Sequence, residues 1–96
     1  MRVEATLGDV PWDEIPGLAQ AIEAMGFDGI AQPELKRDPF LPLALAAAVT
    51  RRVRLATAVA IAFPRSPMVV ACTARGLHDL SRGRFVLGLG TQVRGH

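Results

Sequence analysis

The chain has 96 residues, half of them apolar and 21% charged, with a mean hydropathy of +0.27; that suits one domain and is too apolar for intrinsic disorder. Eleven Lys and Arg against nine Asp and Glu leave a net charge of +2, with the basic residues scattered except at Arg51, Arg52 and Arg54, so no nucleic-acid partner is expected. One cysteine, Cys72, an N-terminus without a secretory pattern and no window of roughly 18–20 apolar residues together point to a cytoplasmic chain with no membrane partner.

Met1 to Leu7 is short and β-prone and runs into Gly8-Asp9, so a strand and a loop are expected. Pro11 to Met25 places Ile15, Leu18, Ala19, Ile22 and Met25 on one face, carries Asp13 and Glu14 near its start, and stops at Gly26, which describes an amphipathic helix. Phe27 to Gln32 reads as a second strand ended by Pro33. Asp38 and Pro39 form an N-cap and first helical residue for the Leu- and Ala-rich run Phe40 to Val49. Val53 to Phe63 is almost continuously apolar, with Val53, Thr57, Val59 and Ile61 β-branched, so it reads as one strand buried on both faces and therefore parallel. Ser66-Pro67 opens a third helix with Val69, Val70, Thr73, Leu77 and Leu80 inward and Ser81-Arg82-Gly83 as its stop. Arg84 to Gly90 is the fourth strand.

The pattern is an α/β chain, parallel βαβαβαβ, with strand starts near 1, 27, 53 and 84. A doubly wound sheet and a (β/α)₈ barrel both fit; a complete barrel needs about 250 residues, so four strands make about half of one. In either architecture ligands bind at the carboxyl ends of the strands. The candidates there are Gly8 and Asp9, Gln32 to Glu34, Ala58 to Phe63, and Thr91, Gln92 and His96.

Gly88-Leu89-Gly90 resembles the start of a dinucleotide fingerprint, but Val93 occupies the third glycine position, and two glycines at a strand end fit close packing better. His78 and His96 are too few and too far apart for a metal pair, so no metal is expected. Glu34 stands where a carboxylate can act as a general base. Cys72 reads as a small core residue, Trp12 as a packing anchor, and the arginines at 51, 52 and 54 as a solvated helix end.

Four segments together carry a family resemblance: Gly26-Phe27-Asp28-Gly29-Ile30; Asp38-Pro39-Phe40-Leu41-Pro42-Leu43-Ala44; Leu55-Ala56-Thr57-Ala58-Val59 with Arg65-Ser66-Pro67; and Leu80-Ser81-Arg82-Gly83-Arg84-Phe85-Val86-Leu87-Gly88-Leu89-Gly90. The chain resembles the N-terminal half of the luciferase-like monooxygenase superfamily, closest to the oxidoreductases that use coenzyme F420. The resemblance implies a TIM barrel with a deazaflavin, or alternatively FMN, at its carboxyl end, the cofactor carrying hydride to or from a small organic substrate. It implies a non-prolyl cis peptide at Ala58-Val59 backing the ring. It implies an acidic catalytic residue at Glu34, where Leu35 stands in place of a histidine that many members carry next. Gln92 and His96 match positions after the fourth strand that contact cofactor or substrate, His96 being a second catalytic candidate. Residues 1–96 are then one half-barrel domain, cut just beyond the fourth strand. Such a half invites either a missing C-terminal half or a second copy to close the barrel, and a catalytically silent, self-associating fragment is the competing expectation.

Overall fold

The computed structural model describes residues 2–34, 37–61 and 66–90. In chain order the elements are β1 (Glu4–Ala5), a 3₁₀ turn (Trp12–Glu14), α1 (Ile15–Ala24), β2 (Gly29–Gln32), α2 (Phe40–Val49), β3 (Arg54–Thr57), β4 (Ala60–Ile61), α3 (Pro67–Leu80), β5 (Phe85–Val86) and β6 (Leu89–Gly90). One sheet has the order β1-β2-β3-β5, and β4 pairs with β6 as a second. Every pairing is parallel: Ala5 lies beside Ile30, Ile30 beside Leu55, Leu55 beside Phe85, and Ala60 beside Leu89. This is the expected βαβαβαβ order, the arrangement of about half a (β/α)₈ barrel.

Two of the expected strands differ in detail. The run from Val53 is interrupted at Ala58 and Val59, and the run from Arg84 at Leu87 and Gly88, so each becomes two short strands. β3 is also not equally covered on its two faces. Leu55 and Thr57 are buried whereas Arg54 and Ala56 are half-buried, because the helices cover only one face of the sheet.

That covered face holds the core. Ile30 from β2 and Val53 and Leu55 at β3 meet Ile15, Ala19 and Ile22 from α1 and Leu43, Ala46 and Ala47 from α2, with Leu7 closing one end. Each fully buried Leu, Ile or Val contributes about 1.5–3 kcal/mol. The spacing of 15, 19 and 22 is one helical stripe, as the sequence indicates. A smaller cluster joins Phe40, Ala60 and Leu77, and the Phe40 and Phe85 rings stand 6.4 Å apart at 50°.

The helix starts are set locally. Asp38 accepts from the Leu41 N–H at 2.7 Å and Ser66 from the Val69 N–H at 3.1 Å, each satisfying a donor that a first turn leaves unpaired. α3 departs from expectation on its faces. Only Val70 and Leu77 are buried; Val69 and Leu80 are 56% and 46% exposed, and Cys72 is exposed instead of packed in the core. The reason is position: α2 packs between α1 and α3, whereas α3 stands at the end of the row with one neighbouring helix among the described residues.

At the amino ends of the strands, two charged side chains tie the layers together. Glu23 at the end of α1 accepts from the backbone N–H groups of Arg51, Arg52 and Val53, fixing the turn between α2 and β3. Arg84 donates from Nε to the Ser81 carbonyl (2.8 Å), from one terminal nitrogen to the Val53 carbonyl (2.9 Å) and Thr50 Oγ1 (3.0 Å), and from the other to the carbonyls of Thr50 (2.9 Å) and Ala47 (3.3 Å). It is the C-terminal cap of α2, supplied from 34 residues away. The arginine cluster that reads as a solvated helix end divides accordingly. Arg51 and Arg52 are exposed, while Arg54 is half-buried and pairs with Glu4 at 2.7 Å.

Candidate functional site

The carboxyl ends of the strands gather most of the candidates the sequence offers. Gln32, the last residue of β2, is 3% exposed. Its Oε1 accepts from the Leu7 N–H at 3.0 Å and from Thr6 Oγ1 at 3.2 Å, and its Nε2 donates to the Gly8 carbonyl at 3.2 Å. These three hydrogen bonds offset the burial of the amide and lock the loop after β1 onto the end of β2.

Arg37 reinforces that loop from the other side. One of its terminal nitrogens donates to the Gly8 carbonyl at 3.2 Å, its Nε lies 3.8 Å from Asp9, and its guanidinium stands 4.2 Å from the centre of the Trp12 ring. Trp12, 43% exposed, is thus a platform for Arg37 more than an anchor in the core. Gly8, Asp9, Gln32, Pro33 and Arg37 enclose a cavity of about 40 Å³, enough for a water or two and too small for a cofactor ring.

Next to it lies the interruption between β3 and β4. The Ala58-Val59 peptide bond is cis, as the family resemblance implies. The Ala58 N–H donates to the Gln32 carbonyl at 2.9 Å and the Ala60 N–H to the Gly88 carbonyl at 2.8 Å, so both sides of the bond are fastened. The Thr57 hydroxyl donates to the Gly88 carbonyl and accepts from the Gly88 N–H, both at 2.8 Å, replacing a stretch of ladder. Gly88 and Gly90 are required by this approach. A Cβ on Gly88 would overlap the Thr57 carbonyl oxygen, and one on Gly90 would come within 2.7 Å of Val59 Cγ2. The glycine pair is therefore a packing device, which disposes of the dinucleotide reading.

The outcome is a small apolar shelf. Val59 is 46% and Leu89 48% exposed, yet the backbone beneath Val59 is held by β2 and by the chain at Gly88. Glu34 is half-buried two residues beyond the Gln32 carbonyl that holds Ala58, which brings Glu34, Ala58 and Val59 to one end of the sheet. Gln92 and His96 lie outside the described residues. Among the described residues no three His, Cys, Asp or Glu side chains converge as metal ligands, and no helix is long and apolar enough to cross a membrane.

The part played by Gln32 has a signal in the sequence, a lone amide closing an apolar strand. Arg37 has none, since it sits among other charges in a polar loop. The longest motif, Leu80 to Gly90, divides in two: Ser81 and Arg84 hold the amino-terminal end of the sheet together, whereas Gly88 and Gly90 belong to the shelf at the other end.

A family model described as luciferase-like monooxygenase matches residues 2–96. The chain belongs to that family. It is 53% identical over 78 residues to the uncharacterized protein Rv1360 of Mycobacterium tuberculosis, an alignment taking in 81% of this chain and 23% of the relative. It is 42% identical over 74 residues to Rv3520c of the same organism, named provisionally as a coenzyme F420-dependent oxidoreductase, with 76% of this chain and 21% of the relative covered. Among solved structures, the monooxygenase RslO1 from Streptomyces bottropensis superposes with a TM-score of 0.83 at 28% identity, covering 94% of this chain and 33% of that one. The F420-dependent tetrahydromethanopterin reductase from Methanopyrus kandleri gives 0.83 at 24% identity, covering 93% and 26%. The oxygenating constituent of 3,6-diketocamphane monooxygenase from Pseudomonas putida, solved in complex with FMN, gives 0.84 at 20%, covering 98% and 30%; these last two likenesses bear on the fold alone. The chain spans about a quarter of the length of the curated relatives it matches.

Proposed function

We propose that this chain forms the cofactor-facing part of an oxidoreductase that transfers hydride between a small organic substrate and coenzyme F420, with FMN as the alternative cofactor. The observation that carries the reading is the shelf at Val59: an apolar side chain 46% exposed at the carboxyl end of the sheet, on backbone fastened to Gln32 and Gly88. A flat, largely apolar ring system is the kind of ligand such a surface suits. The 42% identity to Rv3520c favours the deazaflavin over the flavin.

When bound, the cofactor supplies the hydride chemistry. In this reading Ala58 and Val59 back one face of the ring and exclude water from it. Glu34 holds or accepts a proton at the rim, and Gln92 and His96 supply contacts to cofactor or substrate. Residues 1–96 are the N-terminal half of a barrel that further chain or a second copy completes, and the remaining grip on the cofactor comes from that other half. A second reading, a catalytically silent chain that self-associates, draws on the exposure of Val3, Val86 and Leu89 and on the outer edges of β1 and β5, unpaired among the described residues.

Fluorescence titration of the purified chain with F420 and with FMN, alongside light scattering, separates the readings. Saturable quenching with F420 binding more tightly supports the first. Binding weaker than about millimolar for both cofactors, by a self-associating chain, supports the second.

A further inference from the structure

At the amino ends of the strands, away from Glu34 and Val59, a cleft of about 550 Å³ opens between the ends of α2 and α3. Ala47, Ala48 and Leu80 give it apolar walls, and Arg51, Arg82 and Arg84 bring three guanidinium groups to it. A volume of that size is in the range of small-molecule sites; Thr50 also lines it, and its charged groups are all positive.

The three arginines are not equivalent. Arg84 spends its donors on α2 and its neighbours, as described above. Arg51 and Arg82 are exposed, and neither guanidinium has a hydrogen-bond or ion-pair partner among the described residues. Compensation of helix ends does not account for them. Each helix C-terminus is worth about half a negative charge, so the ends of α1, α2 and α3 together with the Glu23 carboxylate balance only part of the charge on Arg51, Arg52, Arg82 and Arg84. A surplus of between about one and two positive charges is left. Asp79, the nearest acidic residue on α3, is already paired with Arg75 at 3.2 Å.

Arg82 is placed by the closing turn of α3: its N–H donates to the Asp79 carbonyl at 3.2 Å and the Gly83 N–H to the His78 carbonyl at 2.8 Å. Its φ is 57°, a left-handed conformation ordinarily given to glycine or asparagine, and Gly83 beside it has φ 83°. That turn gives Arg82 its left-handed backbone and sets its side chain at the cleft with Arg84. Burial lowers the Arg84 pKa, the Glu23 carboxylate raises it and Arg82 lowers it by less than Glu23 raises it, so desolvation sets the net fall.

We propose that the cleft binds the phosphate group of a small molecule, with Arg51 and Arg82 donating charge-assisted hydrogen bonds and Arg84 as the fixed positive wall. A phosphate dianion matches the charge surplus, and its oxygens match two planar donor forks. The Ala47, Ala48 and Leu80 walls accommodate the organic part of a phosphate monoester. The basic groups form a pocket rather than a stripe, which favours a small ligand over nucleic acid.

The test is calorimetric titration of the purified chain at low salt with phenyl phosphate and with inorganic phosphate, using wild type, Arg51→Gln and Arg82→Gly. Saturable binding is expected in wild type, weakened about tenfold or more in each variant. Arg82→Gly is expected to melt at or above the wild-type temperature without ligand, because glycine suits φ 57°; this separates a lost site from a lost fold. Tighter binding of phenyl phosphate assigns the ligand as an ester, and equal binding assigns free phosphate. Absence of saturation by either probe up to about 10 mM, or undiminished binding by Arg82→Gly, overturns the proposal. The F420 titration is expected to be the same for wild type and Arg82→Gly, so the two readings fail separately.

Discussion

Replacing Arg84 by alanine takes five hydrogen bonds from one point in the fold and leaves the carbonyls of Ala47, Thr50, Val53 and Ser81 to be satisfied by water. Bonds from a charged donor contribute about 1.5–3 kcal/mol each when removed singly. They share one side chain, do not add, and lie where water can enter, so the expected loss is about 3–5 kcal/mol. In a domain near 100 residues each kcal/mol moves Tm by about 4–8 °C, which puts the variant at least about 12 °C below wild type. Arg84→Lys keeps the charge but has no planar fork, and recovers less than half of the loss. Urea unfolding followed by the fluorescence of Trp12, the single tryptophan, measures both. An Arg84→Ala variant within about 1 kcal/mol of wild type, or a lysine variant equal to wild type, would refute the capping role.

Gly88→Ala is expected to cost about 1–3 kcal/mol in the same assay, because the new methyl meets the Thr57 backbone, while Gly76→Ala on open helix surface gains about 0.5–1 kcal/mol. Thr57→Val strands the Gly88 N–H, while the Gly88 carbonyl keeps the Ala60 N–H; the change costs about 1–3 kcal/mol and speeds hydrogen exchange at the Gly88 amide. Burial raises the pKa of the Glu23 carboxyl, but the N–H groups of Arg52, Arg51 and Val53, with the charge of Arg84, outweigh it and hold it below the usual carboxylate value. Its contribution to stability is therefore complete above the unfolded pKa of about 4.3 and is lost as pH falls through the lower folded value. Wild type is expected to lose stability on that acid limb more steeply than Glu23→Gln, and parallel urea midpoints from about pH 6 to 3 would contradict the linkage.

What the sequence made legible follows from the range of the interactions concerned. Helix starts depend on neighbours within three residues, and Asp38 and Ser66 stand where they cap; α2 runs over Phe40–Val49 as its pattern indicates. The break in β3–β4 has no such signature, because Ala58 and Val59 are as apolar as the residues on either side, and only the family resemblance located the cis bond. The exposure of Cys72, Val69 and Leu80 depends on which helices flank α3, which periodicity cannot report. Arg84 is the clearest case. In the sequence it begins a strand, whereas four of its five hydrogen bonds go to residues between Ala47 and Val53 and become visible only once α2 and β5 are side by side. At the candidate site, Gly88 and Gly90 were readable as close packing because glycine in a strand has few other uses, while the Arg37–Trp12 contact needed the loops in place.

The account divides the molecule into a cofactor-facing end and a structurally clamped end, and amide chemical-shift mapping of the labelled chain during an F420 titration tests that division most directly. Saturable shifts at Ala58 to Ala60 and Gly88 to Gly90, with Arg51 to Val53 and Ser81 to Arg84 unmoved, are the expected result. Shifts centred on the Arg84 end, or none at all, would contradict it.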